Sequence, residues 1–191
     1  MTTAAKPRPK LTGEDRLPGD PSPAELVARM IRVDHAGEYG AARIYDGQLA
    51  VLGERAGGGA IRRMAEQEKR HLEVFDRLVV ERRVRPTALS PLWHVAGYAL
   101  GAASALISVR AAMACTVAVE TVIGEHYAGQ VAKLGDDEAE LRETIEAFRD
   151  DELGHRDTAL AEGAEEMAGY EPFTRAVRAG TRLAIWLSER L

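Results

Sequence analysis

Glu68-Lys69-Arg70-His71 and Glu152-Leu153-Gly154-His155 are the two segments on which the reading of this chain turns. In each, a histidine follows a glutamate by three residues, and on a helix that spacing sends both side chains off one face. A single pair of this kind carries little weight. Here each has a further glutamate well before it: Glu38 stands 30 residues before Glu68, and Glu120 stands 32 residues before Glu152. In an antiparallel helical hairpin, residues equidistant from the turn share a level. The midpoint of Glu38 and Glu68 is Gly53, close to the run Gly57-Gly58-Gly59, and the midpoint of Glu120 and Glu152 is Asp136, next to Gly135. Both are turn positions. Each half of the chain thus reads as a hairpin with one glutamate on its first helix and Glu-x-x-His on its second. All six residues then stand at one height, as in the bundles that hold two metal ions between carboxylates. Four carboxylates held together repel one another and take up protons, and two divalent ions would balance their charge. Carboxylate and imidazole suit iron and also manganese, so ligand type leaves that choice open. Tyr45 and Tyr127 each lie seven residues after the first glutamate of their half, nearly two turns on and so on the same face.

The rest of the chain fits a series of helices. Ser22-Pro23-Ala24-Glu25 combines an N-cap, a proline at the first helical position and a capping-box glutamate, and predicts a helix from there to about Leu52. A second is expected from about Ala60 to Arg83, stopped by Pro86. Ser90-Pro91 starts a short apolar third. A fourth is expected from about Ala111 to Leu134 with Gly135 as its C-cap, and a fifth from Asp136-Asp137 to about Ala168, closed by Gly169. Pro172 begins a sixth that reaches the C-terminus. No sustained two-residue alternation marks a strand. The fold class is all-α: a four-helix bundle of two helical hairpins, plus a short apolar helix and a C-terminal amphipathic helix. Residues 1–21 read as a flexible arm and 22–191 as one domain.

Composition narrows the function. Net charge is −5, with 25 basic against 30 acidic residues, so there is no basic footprint for nucleic acid. Aromatics are 5%, which argues against platforms for stacking bases. The single cysteine, Cys115, can form neither an internal disulfide nor a cysteine-based zinc site, and reads as a small core residue. No signal peptide is visible: Pro7 and Pro9 interrupt the basic N-terminus, and no apolar run follows. Between Arg85 and Arg110 there is no formal charge, but Pro86, Pro91 and many small residues argue against a clear transmembrane span. That segment is either a core helix or one resting on a bilayer.

The ligand segments also resemble a known family. His35-Ala36-Gly37-Glu38-Tyr39-Gly40-Ala41 and Gln67-Glu68-Lys69-Arg70-His71-Leu72 are similar to those of the demethoxyubiquinone hydroxylases, di-iron monooxygenases of ubiquinone biosynthesis with a ferritin-like fold. So are the apolar middle through Cys115-Thr116-Val117-Ala118-Val119-Glu120, the segment Phe148-Arg149-Asp150-Asp151-Glu152 with His155, and the ending Leu187-Ser188-Glu189-Arg190-Leu191. The resemblance covers about Ala24 to Leu191. It implies O2 as cosubstrate and hydroxylation of the ring of a polyprenylated demethoxy-benzoquinol, 3-demethoxyubiquinol. It implies two Fe ions per chain on Glu38, Glu68, His71, Glu120, Glu152 and His155, the catalytic residues acting through the metals. Either Glu68 and Glu120 or Glu38 and Glu152 are expected to bridge. Reducing equivalents are expected from NADH, although no glycine-rich dinucleotide fingerprint is present. The expected partners are the quinol, a membrane surface, a lipid-binding accessory protein and, as an open option, a second copy of the chain. The expected place is the cytoplasmic face of a bacterial cell membrane, held peripherally.

Other residues keep two readings each. Tyr127, in Glu125-His126-Tyr127, is a candidate for a catalytic hydrogen bond or relay, or else a core tyrosine; for Tyr45 the core reading is the better. His35 is a candidate to support a ligand, and His94 reads as structural. Gly124, four residues after Glu120, either leaves room for O2 or the substrate ring or permits close helix packing. In the last helix Arg175, Arg178 and Arg182 share an arc opposite Phe173, Val177, Ala184, Leu187 and Leu191, which suits a membrane surface or packing on the bundle. Two other functions compete: a ferroxidase or iron store, which size-exclusion would reveal as a large shell, and a non-catalytic membrane-associated helical protein, which would bind no metal.

Overall fold

The computed structural model describes Leu17, residues 19–53 and residues 57–191. Most of the expected arm lies outside the described residues. Six α-helices follow in order: α1 (Pro23–Leu52), α2 (Gly58–Glu81), α3 (Ser90–Ile107), α4 (Val109–Val131), α5 (Ala139–Ala161) and α6 (Tyr170–Ser188). No strand occurs among the described residues. The architecture is the all-α, ferritin-like bundle expected, with α1–α2 and α4–α5 as the two hairpins.

The start of α1 follows its sequence signals. Glu25 N–H donates to Ser22 Oγ at 3.2 Å, and Ser22 N–H donates to Glu25 Oε2 at 2.6 Å. Other ends differ from expectation. The α3–α4 break falls earlier than Ala111: Ser108 alone is extended, and its Oγ accepts from Ala111 N–H at 3.0 Å to cap α4. Gly135 does not cap α4. The helix ends at Val131, and Gly135 has φ −89°, outside the left-handed region. The fifth helix is shorter than expected. A 3-10 turn, Asp136–Glu138, precedes it, and it stops at Ala161 because Gly163 takes φ +84° before a second 3-10 turn, Ala164–Glu166. Gly169, at φ +80°, then precedes α6, which begins at Tyr170 rather than Pro172.

The core is divided along the bundle axis. Tyr45, Leu52, Ile61, Met64, Met113, Val117 and Ala159 form one apolar cluster. Ile31, Phe75, Val119, Ile123, Tyr127, Leu141 and Ile145 form another. On each of the four bundle helices the ligand glutamate falls between the residues of these clusters, so the acidic level is enclosed from both ends.

α3 lies across α1 at backbone contact. A Cβ on Gly101 would fall on the Ile44 carbonyl oxygen, and one on Gly47 would fall on that of Tyr98. Glycine is required here to let the two backbones approach. α6 packs on α4, and Trp93 Nε1–H donates to Ser188 Oγ at 3.0 Å, tying α3 to the end of α6. Among the described residues no helix is long and apolar enough to cross a membrane.

The α1–α3 contact gives a stability test. Gly101→Ala should lower stability by about 2–3 kcal/mol through overpacking. Gly129→Ala, where a Cβ meets nothing within 4 Å, should leave it unchanged or slightly raised. Thermal unfolding of the two variants measures the difference.

Candidate metal centre

All six expected residues meet in the interior. Glu38, Glu68, His71, Glu120, Glu152 and His155 are each no more than 4% exposed. Their ligand atoms form two groups within which every atom lies within 4.8 Å of the others. One group is Glu38, Glu68, His71 and Glu152, and the other is Glu68, Glu120, Glu152 and His155. Glu68 and Glu152 belong to both. This departs from both expected bridging pairs: the shared carboxylates are the two on the second helices of the hairpins, α2 and α5.

The donor chemistry fits metal ions. Glu38 Oε2, both carboxylate oxygens of Glu68, Glu120 Oε2 and Glu152 Oε1 are buried and make no hydrogen bond. Leaving so many anionic acceptors unsatisfied in an apolar interior is costly unless cations complete them. The imidazoles turn Nδ1 inward: His71 Nδ1 is 3.1 Å from Glu152 Oε1, and His155 Nδ1 is 3.0 Å from Glu68 Oε1. Their outer nitrogens face acceptors, His71 Nε2 at 3.1 Å from Asp151 Oδ2 and His155 Nε2 at 3.2 Å from Gln67 Oε1. Each Nε2–H donates outward, which frees the Nδ1 lone pair for a metal. Gln67 and Asp151 were not singled out in the sequence. Their only signal is that each directly precedes the second glutamate of its hairpin.

The tyrosines complete a crosswise pattern. Tyr45 of α1 donates its hydroxyl to Glu120 Oε1 of α4 at 2.7 Å, and Tyr127 of α4 donates to Glu38 Oε1 of α1. Burial first, then the neighbouring glutamates, push both phenols well above the usual range, so both stay protonated donors. Tyr45 is a core residue with its hydroxyl satisfied, as expected, and it also touches the site as directly as Tyr127 does. His35 Nε2 instead faces Asp76 Oδ1 at 2.9 Å, and His94 Nδ1 pairs with the Tyr39 hydroxyl at 2.6 Å. Cys115 is fully buried, and burial pushes its thiol up to about 12. A Cβ on Gly124 would meet Leu153 Cδ2 at 3.6 Å, an ordinary contact, so close packing does not explain that glycine.

One buried acid escaped sequence reading. Asp34 lies a turn before Glu38, accepts from Gln130 Nε2–H at 2.7 Å and stands 3.3 Å from His126 Nε2. Burial raises its carboxyl to about 6 against the opposing pull of His126.

Two cavities lie beside the site, on different sides. An apolar one of about 350 Å³ lies among α1, α3, α4 and α6. Gly37 and Ala41, which flank Glu38, line it, as do Val119 and Ile123, which flank Glu120, together with Trp93, Leu100 and Ile185. A polar cleft of about 330 Å³ lies between α2 and α5 and reaches His155.

Comparison with known proteins agrees with this geometry. The family profile of Ubiquinone biosynthesis protein COQ7 matches residues 25–188. The chain belongs to the COQ7 family. It is 57% identical over 181 residues, 94% of this chain and 85% of the relative, to the 3-demethoxyubiquinol 3-hydroxylase of Rhodospirillum rubrum. It is 52% identical over 86% of its length and 78% of the relative to the human mitochondrial NADPH-dependent 3-demethoxyubiquinone 3-hydroxylase. Against the mitochondrial 5-demethoxyubiquinone hydroxylase of Saccharomyces cerevisiae the identity is 42%, over 88% and 79%. The human relative is named for NADPH, whereas NADH was the expectation from sequence.

Protonation in this COQ7-family chain follows from crowding. Burial, then the charge of Glu152, push Glu68 and Glu120 well above the usual carboxylate range. Burial alone would raise Glu152 too, but His155 and His71 hold it down to about 2. Burial would depress His71, yet the carboxylates of Glu152 and Glu38 facing its Nδ1 push it up to about 10. His71 thus carries a proton at pH 7 without metal, and Glu68 and Glu120 are pushed toward their protonated forms. Adding Co(II) to the lightly buffered metal-free protein should release protons, read with a pH indicator.

Asp34 gives a second test with the sign fixed. Its folded pKa, about 6, lies above the ordinary carboxylate value of 3.8, so its support for the fold is complete below pH 4 and is lost as pH rises through 6. Metal-free Asp34→Asn should unfold at a higher temperature than the parent at pH 8, by up to about 3 kcal/mol, and match it at pH 4.

Proposed function

We propose that this protein is a 3-demethoxyubiquinol hydroxylase using two iron ions, held by Glu38, Glu68, His71, Glu120, Glu152 and His155 within one domain, residues 22–191. The observation that carries this reading is the buried cluster of four glutamates and two histidines, with an apolar cavity beside it lined by chain neighbours of Glu38 and Glu120. The reaction consumes a ring C–H, O2, two electrons and two protons, and yields C–OH and water. The irons supply the redox chemistry that protein side chains lack. Glu68 and Glu152 belong to both groups and would hold either ion, while His71 and His155 would each hold one. Tyr45 and Tyr127 hold one oxygen each of Glu120 and Glu38, and so fix which oxygen faces inward. Gly37, Gly40 and Gly97 leave the apolar cavity wide enough for a flat ring, and its hydrocarbon walls keep bulk water from the reacting carbon. The electrons come from a reduced nicotinamide nucleotide, NADH in the sequence reading and NADPH in the names of several relatives.

A polyprenyl tail keeps the substrate in a bilayer, and the cavity opens between the two helices best suited to meet one. Leu92, Val95, Leu106 and Ile107 of α3 are exposed, as are Leu183 and Trp186 of α6 and Leu191 beyond it. The spacing places Leu191 on the apolar side, opposite the arginines. Arg182 is engaged with Glu125 at 3.0 Å, so α6 meets lipid through its apolar residues more than its arginines. We read the protein as peripheral on the membrane that holds the quinone, with a lipid-binding accessory protein as the second way to present the tail.

The test is a quinone profile by mass spectrometry from a strain lacking this protein. Demethoxyubiquinone should accumulate and ubiquinone should be lost; an unchanged profile in the absence of a second hydroxylase overturns the assignment. Complementation by Glu68→Ala should fail with the helical signal intact, and Glu66→Ala, on the exposed face, should restore ubiquinone.

A further inference from the structure

The two hairpins are near-repeats, so each position around the centre has a counterpart in the other half. The counterparts match closely for the ligands and diverge beside the histidines. Phe148, four residues before Glu152, stacks on His71 at 4.0 Å between ring centroids and is backed by Phe75 at 5.7 Å. The corresponding residue before Glu68 is Met64, and it leaves His155 beside the polar cleft. Gly154, whose counterpart is Arg70, lines that cleft, and a Cβ there would meet nothing within 4 Å. One histidine is therefore sealed by aromatic rings and the other opens to the cleft.

The cleft walls suit a hydrated cation. Asp150 and Asp151 line it from α5, Gln67 from α2, and His155 stands at its inner end, with Arg63 the one basic side chain lining it. Asp151 is half-exposed and also holds His71 Nε2. An ion moving inward can exchange waters for carboxylate and amide oxygens one at a time and end at the unpartnered oxygens of Glu68. The apolar cavity offers little of this kind: its only polar side-chain groups are the hydroxyls of Thr181 and Ser188 and the indole N–H of Trp93, which donates to Ser188.

We propose that the α2–α5 cleft is the passage by which divalent iron enters the centre, with Asp151 as the first protein ligand, while the quinol uses the opposite, apolar cavity. This rests on the metal-centre reading above. The test is the rate at which the metal-free full chain takes up Co(II), followed by the cobalt absorbance in a stopped-flow instrument, with the final stoichiometry measured separately. Gly154→Leu fills the cleft without a clash and should slow uptake at least tenfold, with two ions still bound at equilibrium. Gly180→Leu, placed in the apolar cavity where a Cβ also meets nothing within 4 Å, should leave the rate unchanged. If Gly154→Leu binds fewer ions, Thr158→Leu, one turn further along the cleft and away from the ligands, decides: slow uptake at full stoichiometry supports the passage. Parental rates in the cleft variants, or equal slowing by Gly180→Leu, overturn it. Failure of the unaltered protein to bind two ions would instead sink the centre itself.

Discussion

Four glutamates enclosed at one level of a helical bundle are the constraint on which the rest of this molecule depends. Left alone they oppose the fold, because burial and mutual repulsion both penalise their charge. The chain answers with apolar clusters on both sides of the acidic level, which hold the helices together where the level itself pushes them apart. It answers also with two imidazoles and two phenols directed at the same carboxylates. The arrangement fits a place for cations: the unpartnered carboxylate oxygens are the ligands such ions take.

The completion of the site is reciprocal between the hairpins. Tyr45 serves Glu120 and Tyr127 serves Glu38; Asp151 holds His71 and Gln67 holds His155. No half of the centre is finished by its own half of the sequence. Ligand geometry and hairpin docking are thus one event, and a metal stabilises the docked state by the free energy with which it binds there.

The six ligands were legible because a hairpin converts equal distance from a turn into equal height, and Gly53 and Asp136 marked the turns. The capping box at Ser22 was legible because it is wholly local. What the sequence did not disclose depends on three-dimensional partners. Nothing local distinguishes Asp34 from any surface acid until His126 and Gln130 close over it. Tyr45 looked like a core residue because the carboxylate it serves is 75 residues away. That Glu68 and Glu152 would be the pair common to both groups was not legible, because spacing gives height along the bundle and says nothing of which carboxylates cross its axis. Helix ends failed where glycine was given one role and took another: Gly135 reads like a cap, but the chain turns earlier, while Gly163, unremarked, takes the left-handed conformation that ends α5.

Ser108 joins α3 to α4 with a single non-helical residue, and its hydroxyl is committed to the first turn of α4. Such a joint has no slack. α3 carries much of the exposed apolar surface, and α4 carries Glu120 and Tyr127. A tilt of α3 against its surroundings has no loop in which to dissipate and passes to the helix that holds one side of the centre. Whatever the exposed face of α3 rests on is mechanically in series with the acidic level.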